Sequence, residues 1–316
     1  MKAVLVRQPG GADVLQVGEA ELPTPGKDEV LVRVLAAGTG PWDCSFREGG
    51  WTGSFPYIPG GEFAGVVVGD SGEDAALDDG TPVYGFPRFP GLSGCYAEYV
   101  TCPVEQLAPI PEGLPVTSAA ATPVDALTAL QGLTDILDTG PGDQVLITAA
   151  AGGLGHFAVQ IARALGASVV ATASPRNHDF VHTLGASMVI DHTRDDWPDQ
   201  VREATDGGAA KVLACAAPTL EGAEKAARDG ATVATPVRAG RPASDRVSWQ
   251  AYDGEPRGSR LIRLAPWFND GTLSVHLQSM HYWLNAAQAQ REVEAGHTRG
   301  KIVLVVDEDL AAGLQV

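Results

Sequence analysis

A glycine-rich turn between a buried strand and a helix constrains the fold of this chain more than any other feature. The predicted strand Val145–Ala149 runs into AAGGLG (150–155), and a predicted helix continues to Leu165. This is the G-x-G-x-x-G layout with alanine in the first glycine position. Gly152 lacks a Cβ that would keep the backbone from a pyrophosphate, and Gly155 lets the helix lie close to the strand. With the N–H groups of the helix N-terminus, the turn predicts a dinucleotide-binding fold.

Strands alternate with helices after a turn at TGPGD (139–143), which precedes the first of these strands. The later apolar strands are predicted at Ser168–Ala173, Met188–Asp191, Lys211–Cys215 and Ala231–Thr235. Nearly continuous apolar strands separated by helices are typical of a parallel sheet that is buried on both faces. Upstream, Thr117–Leu137 has apolar residues at helical spacing and predicts one helix.

The two ends of the chain have a different character from its middle. Strand and turn signals dominate before residue 117, and the strand signal returns in Lys301–Val306. We therefore predict an α/β protein of two domains. A β domain comprises 1–117 and 272–316, and the dinucleotide-binding domain comprises 118–271.

Charge and composition exclude several functional classes. Among 316 residues, 39 Asp and Glu oppose 22 Lys and Arg, giving a net charge of −17. Such a surface repels nucleic acid and anionic membranes. The sequence has no apolar stretch of membrane-spanning length. Its four cysteines form no C-x-x-C pair, which predicts free thiols in a reducing cytoplasm.

The end of the second Rossmann strand indicates which dinucleotide binds. NAD enzymes usually have Asp or Glu there, which binds the adenosine ribose hydroxyls. This chain has Ser174 and Arg176 instead, which suit a 2′-phosphate that a carboxylate would repel. We therefore predict NADPH as the cofactor. The alternative is that Arg176 is a solvated residue at a helix start.

Several segments together resemble a known family. They are AAGTGPWDCSFREG (36–49), IPGGEFAGVV (58–67), ALTALQGL (126–133), the glycine segment 149–174, LGASMVIDHT (184–193) and RGKIVLVV (299–306). The chain resembles zinc-free medium-chain dehydrogenase/reductases of the quinone oxidoreductase (zeta-crystallin-like) group. The resemblance implies a GroES-like β domain, a Rossmann domain, a cofactor in the cleft between them, and homodimers paired through the edge strand at Arg246–Tyr252.

The resemblance also implies that no metal is bound. Zinc-using relatives have a Cys ligand and a His ligand where this chain has Gly40 and Gly61. The histidines are scattered without the spacing of a ligand set. Without a Lewis acid, reduction of an already electrophilic acceptor is favoured over alcohol oxidation.

Residue roles follow from the matched positions. Thr128 is expected near the nicotinamide, His192 near the adenosine ribose, and Lys301 either at the cofactor phosphates or on the surface as a structural lysine. The remaining cofactor-binding residues are predicted to be Ala151, Gly152, Gly153, Leu154, Gly155, Ser174, Arg176, His178, Ala216, Thr235 and Pro236.

The catalytic proton donor is not fixed by the resemblance. The family often has tyrosines where Ser45 and Trp51 stand, so no donor carries over. Asp43, Ser45 and Tyr57 are the candidate catalytic residues, with Asp43 alternatively a structural helix cap. Tyr84, Cys44 or water are the other possible proton donors.

The predicted function is hydride transfer from NADPH to a quinone or to the C=C bond of an α,β-unsaturated carbonyl. One alternative is a dedicated biosynthetic enoyl or ketone reductase acting on a polyketide-like intermediate. Another is a non-catalytic NADPH-binding protein. The missing donor motivates the last alternative.

Overall fold

The computed structural model describes residues 1–50, 53–69, 77–87, 94–237 and 240–311. Its strands, in chain order, are β1 (Lys2–Val6), β2 (Leu15–Glu19), β3 (Glu29–Thr39), β4 (Glu62–Val68), β5 (Pro82–Gly85), β6 (Tyr99–Pro103), β7 (Leu107–Pro109), β8 (Gln144–Ile147), β9 (Ser168–Ala173), β10 (Met188–Asp191), β11 (Ala209–Leu213), β12 (Ala227–Thr235), β13 (Ser248–Ala251), β14 (Leu277–Tyr282) and β15 (Lys301–Val305).

The α-helices lie between these strands and at the ends of the β regions. In chain order they are α1 (Pro41–Ser45), α2 (Val116–Ala120), α3 (Pro123–Gln131), α4 (Gly153–Ala164), α5 (His178–Thr183), α6 (Trp197–Ala204), α7 (Leu220–Ala226), α8 (Gly258–Asn269), α9 (Ala286–Glu294) and α10 (Glu308–Ala311). The strands and helices confirm the predicted α/β class.

The chain divides into two compact units. The second unit comprises Asp125–Glu255 and Thr272–Ser274, and the first comprises the segments on either side. In the second unit, six parallel strands have the order β10-β9-β8-β11-β12-β13. The chain thus builds outward from β8 in one direction and from β11 in the other. In β8 and β9, every side chain after the first residue is buried, as the apolar strand sequences predict.

The first unit is built on a mixed sheet around the long strand β3. The sheet has the order β14-β15-β3-β4-β5-β7, and β6 also pairs with β3. Strand β15 pairs antiparallel with β3, so the C-terminal strand joins the N-terminal sheet as predicted. Apolar residues from both ends of the sequence, including Phe63 and Leu304, share one buried core.

The predicted helix Thr117–Leu137 is divided in the structure. Helix α2 ends at Ala120, α3 starts at Pro123, and a five-residue π-helical turn at Gly132–Ile136 follows. Proline has no N–H to donate and disfavours helical geometry in the residue before it. The expectation of one continuous helix was therefore wrong at Pro123.

Helix α8 belongs to the first compact unit, although the predicted boundary at 271 assigns it to the dinucleotide-binding domain. The reason is its packing on β7 and β5. A Cβ at Gly258 would lie 1.8 Å from the Leu107 carbonyl oxygen, so the helix start meets that backbone directly. The Tyr84 hydroxyl also donates a hydrogen bond to the Leu261 carbonyl at 3.3 Å.

Candidate functional site

The candidate cofactor site lies at the carboxyl edge of the parallel sheet, where β8 and β11 are neighbours. The chain leaves these two strands in opposite directions, and open α/β sheets bind ligands at such a switch point. Thr148 connects the two strand ends. Its Oγ1 accepts the Cys215 N–H at 3.2 Å and lies 2.7 Å from Thr219 Oγ1, which itself donates to the Ala216 carbonyl.

The glycine turn has the geometry that a pyrophosphate requires. Gly152 is extended and directly precedes α4. The first helical bond runs from His156 N to Gly152 O, so the N–H groups of residues 153–155 point out of the helix. A Cβ on Gly152 would meet only the Ala149 carbonyl oxygen, at 3.4 Å. The space beside Gly152 is thus a cradle that a side chain would fill, and the residues fit a dinucleotide.

Gly155 serves the packing of α4. A Cβ at this position would lie 2.3 Å from the Ala149 oxygen and 2.6 Å from the Ala150 Cα, which are both backbone atoms. His156 adds a contact that the sequence did not reveal. Its Nδ1 lies 2.6 Å from the Gly153 carbonyl oxygen, and because a carbonyl only accepts, Nδ1 carries the proton.

The groups predicted to bind the adenosine ribose lie together at the ends of β9 and β10. Ser174 follows β9, and its Oγ accepts a hydrogen bond from Asn177 at 3.3 Å. His178 Nε2 and the His192 N–H both face the Ala173 carbonyl, at 3.1 and 3.4 Å. Arg176 is exposed beside them. This edge therefore carries hydroxyl, imidazole and guanidinium groups where a carboxylate would be typical of NAD enzymes.

The other predicted cofactor residues of this unit are positioned by buried hydrogen bonds. Thr235 ends β12 and donates to the Ala214 carbonyl at 2.8 Å, which fixes the start of the segment with Pro236. Thr128 is buried in α3, and its carbonyl accepts the Tyr252 hydroxyl at 2.9 Å.

Lys301 lies within the first unit and is only 2% exposed, so the alternative of a surface lysine is wrong. Its Nζ is 2.8 Å from Glu62 Oε1 and 4.7 Å from the centre of the Trp42 ring. Its predicted role at the cofactor phosphates stays a prediction. Trp42 also fills the space beside Gly40, where a Cβ would lie 2.3 Å from the indole ring.

Asp43 is the most perturbed carboxyl group of this region. Its Oδ2 accepts the Gly40 N–H at 3.1 Å and the Tyr96 hydroxyl at 3.3 Å. The first bond confirms that Asp43 caps α1. Burial, helped by the nearby Glu62 charge, raises the pKa of Asp43 to about 7, against the lowering effect of the Gly40 hydrogen bond.

The other two catalytic candidates differ in exposure. Tyr57 is buried, and burial together with the Asp43 charge raises its pKa well above the usual range, so its hydroxyl stays protonated. Ser45 ends α1 and is exposed. The effect of Asp43 on the pKa of Tyr57 shows that these two side chains are near enough to interact electrostatically. Trp51, the other position at which the family often has a tyrosine, lies outside the described residues.

The described residues offer neither a metal-ligand cluster nor a membrane-spanning helix. Within those ranges, no group of three or more His, Cys, Asp or Glu side chains is arranged to hold a metal ion. No helix in the same ranges has the length and apolar character needed to cross a bilayer. The four cysteines are free, as predicted.

Comparison with known proteins places the chain in a family. The family model "Alcohol dehydrogenase GroES-like domain" matches residues 26–112, and "Zinc-binding dehydrogenase" matches residues 153–236. A trans-enoyl reductase of Aspergillus flavipes is 32% identical over 312 residues, covering 92% of this chain and 88% of that protein. The chain belongs to the medium-chain dehydrogenase/reductase family.

Other members of this family show the same extent of similarity. An NADPH-dependent alkenal/one oxidoreductase of Arabidopsis thaliana is 29% identical and covers 96% of this chain and 79% of its own length. The quinone oxidoreductase structure from Pseudomonas syringae pv. Tomato DC3000 has a TM-score of 0.85 and 27% identity, covering 96% of this chain and 99% of that one. This medium-chain dehydrogenase/reductase is thus an oxidoreductase with an NAD(P)-binding fold.

The sequence did not predict two polar contacts in the first unit, those of Glu62 with Lys301 and of Tyr96 with Asp43. Glu62 lies in the quoted segment IPGGEFAGVV, and Tyr96 lies in a strand-like segment. Neither has a local spacing that marks it as a partner of Lys301 or Asp43. The pairing of β15, β3 and β4 brings Glu62 and Lys301 together. Asp43 and Tyr96 meet although they are 53 residues apart in the sequence.

Proposed function

We propose that this protein is an NADPH-dependent, metal-independent reductase of quinones or of the C=C bond of α,β-unsaturated carbonyls. The observation that carries the proposal is the carboxyl edge of the parallel sheet. There, the cradle at Gly152 accompanies a β9 end with Ser174 and Arg176 in place of a carboxylate. The names of the alkenal/one and quinone oxidoreductase relatives support the acceptor class.

NADPH, when bound, supplies the hydride. The chain contributes binding and orientation: the N–H groups of residues 153–155 bind the pyrophosphate, and Ser174 and Arg176 bind the 2′-phosphate. Reduction of an enone also needs a hydrogen-bond donor and then a proton at the developing enolate. Tyr57 keeps its hydroxyl proton at neutral pH, and Asp43 takes up a proton near pH 7, as its raised pKa requires.

Metal independence is supported by the packing around Gly40. Zinc-using relatives place a Cys ligand at this position, and here the Trp42 ring occupies the space of any side chain. The experiment is NADPH consumption against a panel of quinones and enones, with NADH in parallel and with and without a chelator. We expect chelator-resistant turnover that prefers NADPH. Activity that a chelator abolishes and zinc restores would contradict the proposal.

A narrower function is favoured by one comparison. The 32%-identical relative is a trans-enoyl reductase that the chain covers almost completely. A dedicated biosynthetic enoyl reductase would leave simple quinones and enones unreduced and would reduce an extended enoyl thioester. The same panel, extended with such thioesters, separates the two functions. Tight NADPH binding without turnover of any acceptor would indicate a non-catalytic NADPH-binding protein.

The preference for NADPH has its own test at Arg176. Replacing it with glutamate, Arg176→Glu, puts a negative charge beside the 2′-phosphate. We expect the NADPH dissociation constant to rise about 10- to 100-fold, the scale of a lost charged hydrogen bond, with NADH affinity little changed. The matched control is Arg228→Glu, since Arg228 is an exposed arginine on β12. Unchanged NADPH affinity in Arg176→Glu would mean that Arg176 is only a solvated residue at a helix start.

A further inference from the structure

A buried ion pair in the first unit reaches the start of α3. Glu62 and Lys301 begin the strands β4 and β15, and both are almost completely buried. Their oppositely charged groups are 2.8 Å apart. Removing two charges from water is costly unless additional hydrogen bonds satisfy the remaining atoms. The second oxygen of Glu62 therefore needs a donor.

That donor belongs to a helix. Glu62 Oε2 accepts the Val124 N–H at 2.7 Å. Val124 follows Pro123 in the first turn of α3, where N–H groups have no acceptor within the helix. A carboxylate at this end also faces the positive end of the helix dipole. Glu62 thus caps α3 from a distant strand.

The surroundings are shaped for this carboxylate. A Cβ on Gly38 would lie 2.3 Å from Glu62 Oε1, so a glycine on the neighbouring strand leaves the space that the group occupies. The Lys301 ammonium is held in addition by the face of the Trp42 ring, 4.7 Å away. Gly38 on β3 and Trp42 on α1 therefore both pack against the ion pair.

We propose that Glu62 is a positioning residue for Thr128. Val124 and Thr128 are four residues apart in α3, so they lie on one face of the helix. The Val124 N–H is fixed by Glu62, and the Thr128 carbonyl is fixed by the Tyr252 hydroxyl at 2.9 Å. The inference rests on the proposed function and on the expectation, from the family resemblance, that Thr128 lies near the nicotinamide of NADPH.

The test is Glu62→Gln, which removes the charge and keeps the shape. We expect kcat for NADPH-dependent reduction to fall by about 10- to 100-fold, the scale of a small misplacement of reacting groups. Turnover is measured well below the Tm of each variant. Affinity for adenosine 2′,5′-bisphosphate, which carries only the adenosine end of the cofactor, stays at the wild-type value.

A double-mutant cycle separates positioning from general structural support. If Glu62 acts through Thr128, Glu62→Gln causes no further loss of kcat in a Thr128→Ala background. The matched control is Asp307→Asn, which removes the carboxylate of the Arg33 ion pair, 2.8 Å long, in the same unit. We expect the control to keep the wild-type kcat. If Glu62→Gln does not fold, Glu62→Asp keeps the charge, shortens the reach to Val124 and gives the same comparison.

The outcomes distinguish this inference from the function on which it rests. Wild-type turnover with an unchanged kcat in Glu62→Gln would overturn the inference alone. Losses of kcat that add in the double mutant would also overturn it, because the ion pair would then be only structural. A wild-type protein that neither binds nor oxidises NADPH would overturn both the proposed function and the inference.

Discussion

Asp43 is the residue whose surroundings depart furthest from those of an ordinary carboxyl group. It is buried, and its Oδ1 has no hydrogen-bond partner among the described residues. Glu62 places a second negative charge nearby, while Lys301 supplies one positive charge. Two carboxyl groups and one ammonium are electrically balanced only when one carboxyl is protonated. The pKa of Asp43, raised to about 7 mainly by burial, identifies that carboxyl.

This raised pKa predicts a specific pH dependence of stability. Between the ordinary value of 3.8 and about 7, the folded protein binds a proton at Asp43 that the unfolded chain does not hold. The resulting stabilisation is complete below the unfolded-state pKa of 3.8 and is lost as the pH rises through the folded-state pKa of about 7. The loss is at most about 1.4 kcal/mol per pH unit. The side chain in Asp43→Asn cannot titrate, so this variant lacks the loss of stability that the wild type shows. The free energy of unfolding of Asp43→Asn, measured relative to that of the wild type, should therefore increase as the pH rises.

The measurement is denaturant unfolding of both proteins at about pH 5 and about pH 8, on either side of most of the transition. Asp245→Asn, at an exposed carboxyl group, is the control for removing one acidic residue. We expect the control to follow the wild type at both pH values. Wild-type and Asp43→Asn curves that stay parallel would contradict the assignment of the buried proton to Asp43.

Individual residues could be predicted where local sequence defines their surroundings. A capping role for Asp43 was one of the two alternatives that local sequence offered, and its bond to the Gly40 N–H agrees with that role. The Glu62–Lys301 pair could not be predicted, because its members are far apart in sequence and meet only through the sheet. For the same reason, the burial of Lys301 could not be predicted from the sequence around it.

At the scale of elements, the β8–α4 turn assigns different tasks to two glycines. At Gly155, an added Cβ collides with backbone, which cannot move without shifting the helix from the strand. At Gly152, an added Cβ meets nothing closer than 3.4 Å. The first glycine therefore serves the fold, and the second serves the ligand. The motif predicts these separate tasks, and the contacts at the two positions differ accordingly.

This division predicts that alanine substitutions at the two glycines affect different properties, the stability of the fold in one case and NADPH binding in the other. Gly155→Ala should lower the free energy of unfolding by about 1–3 kcal/mol, as overpacking does. Gly152→Ala should change it by less than about 0.5 kcal/mol, because the site is open. Only Gly152→Ala should weaken NADPH binding while the fold stays intact. Denaturant unfolding and a fluorescence titration with NADPH measure the two effects.

The control is Gly140→Ala, at a glycine whose added Cβ meets nothing within 4 Å. It should leave both stability and NADPH affinity unchanged. If Gly152→Ala bound NADPH as the wild type does, the space beside Gly152 would not be the pyrophosphate cradle. If Gly155→Ala kept full stability, the helix could move away from the strand at little cost.

Elements were predictable where a strong periodicity was uninterrupted. Strands β9 and β10 have the predicted bounds, because apolar runs are closed there by clear turn residues. Helix α8 was not predicted, since its sequence carries a proline and mixes apolar with basic residues. Its placement on β7 depends on a contact at Gly258 that no local pattern encodes.

At the scale of the whole molecule, the net charge of −17 restricts how copies of this chain can associate. Like-charged surfaces repel, which favours association through an uncharged patch, and the edge of a sheet also offers unpaired backbone hydrogen-bonding groups. Strand β13 is such a patch. It is the edge of the parallel sheet, and its four residues, Ser248–Ala251, are all uncharged. We propose that two copies pair along β13, which would cover an open sheet edge.

The alternation of N–H groups along β13 makes this pairing testable without damaging the sheet. The Tyr252 N–H donates to the Thr235 carbonyl on β12. Because N–H groups alternate along a strand, the N–H of Gln250, two residues earlier, also points towards β12, and the N–H of Ala251 points away from β12 towards the open edge. Ala251→Pro should therefore convert a dimer into a monomer in light scattering, with little loss of stability. Gln250→Pro should instead break the β12–β13 ladder and destabilise the unit. A wild-type monomer would refute the pairing, and a dimer that survives Ala251→Pro would place the interface on another surface.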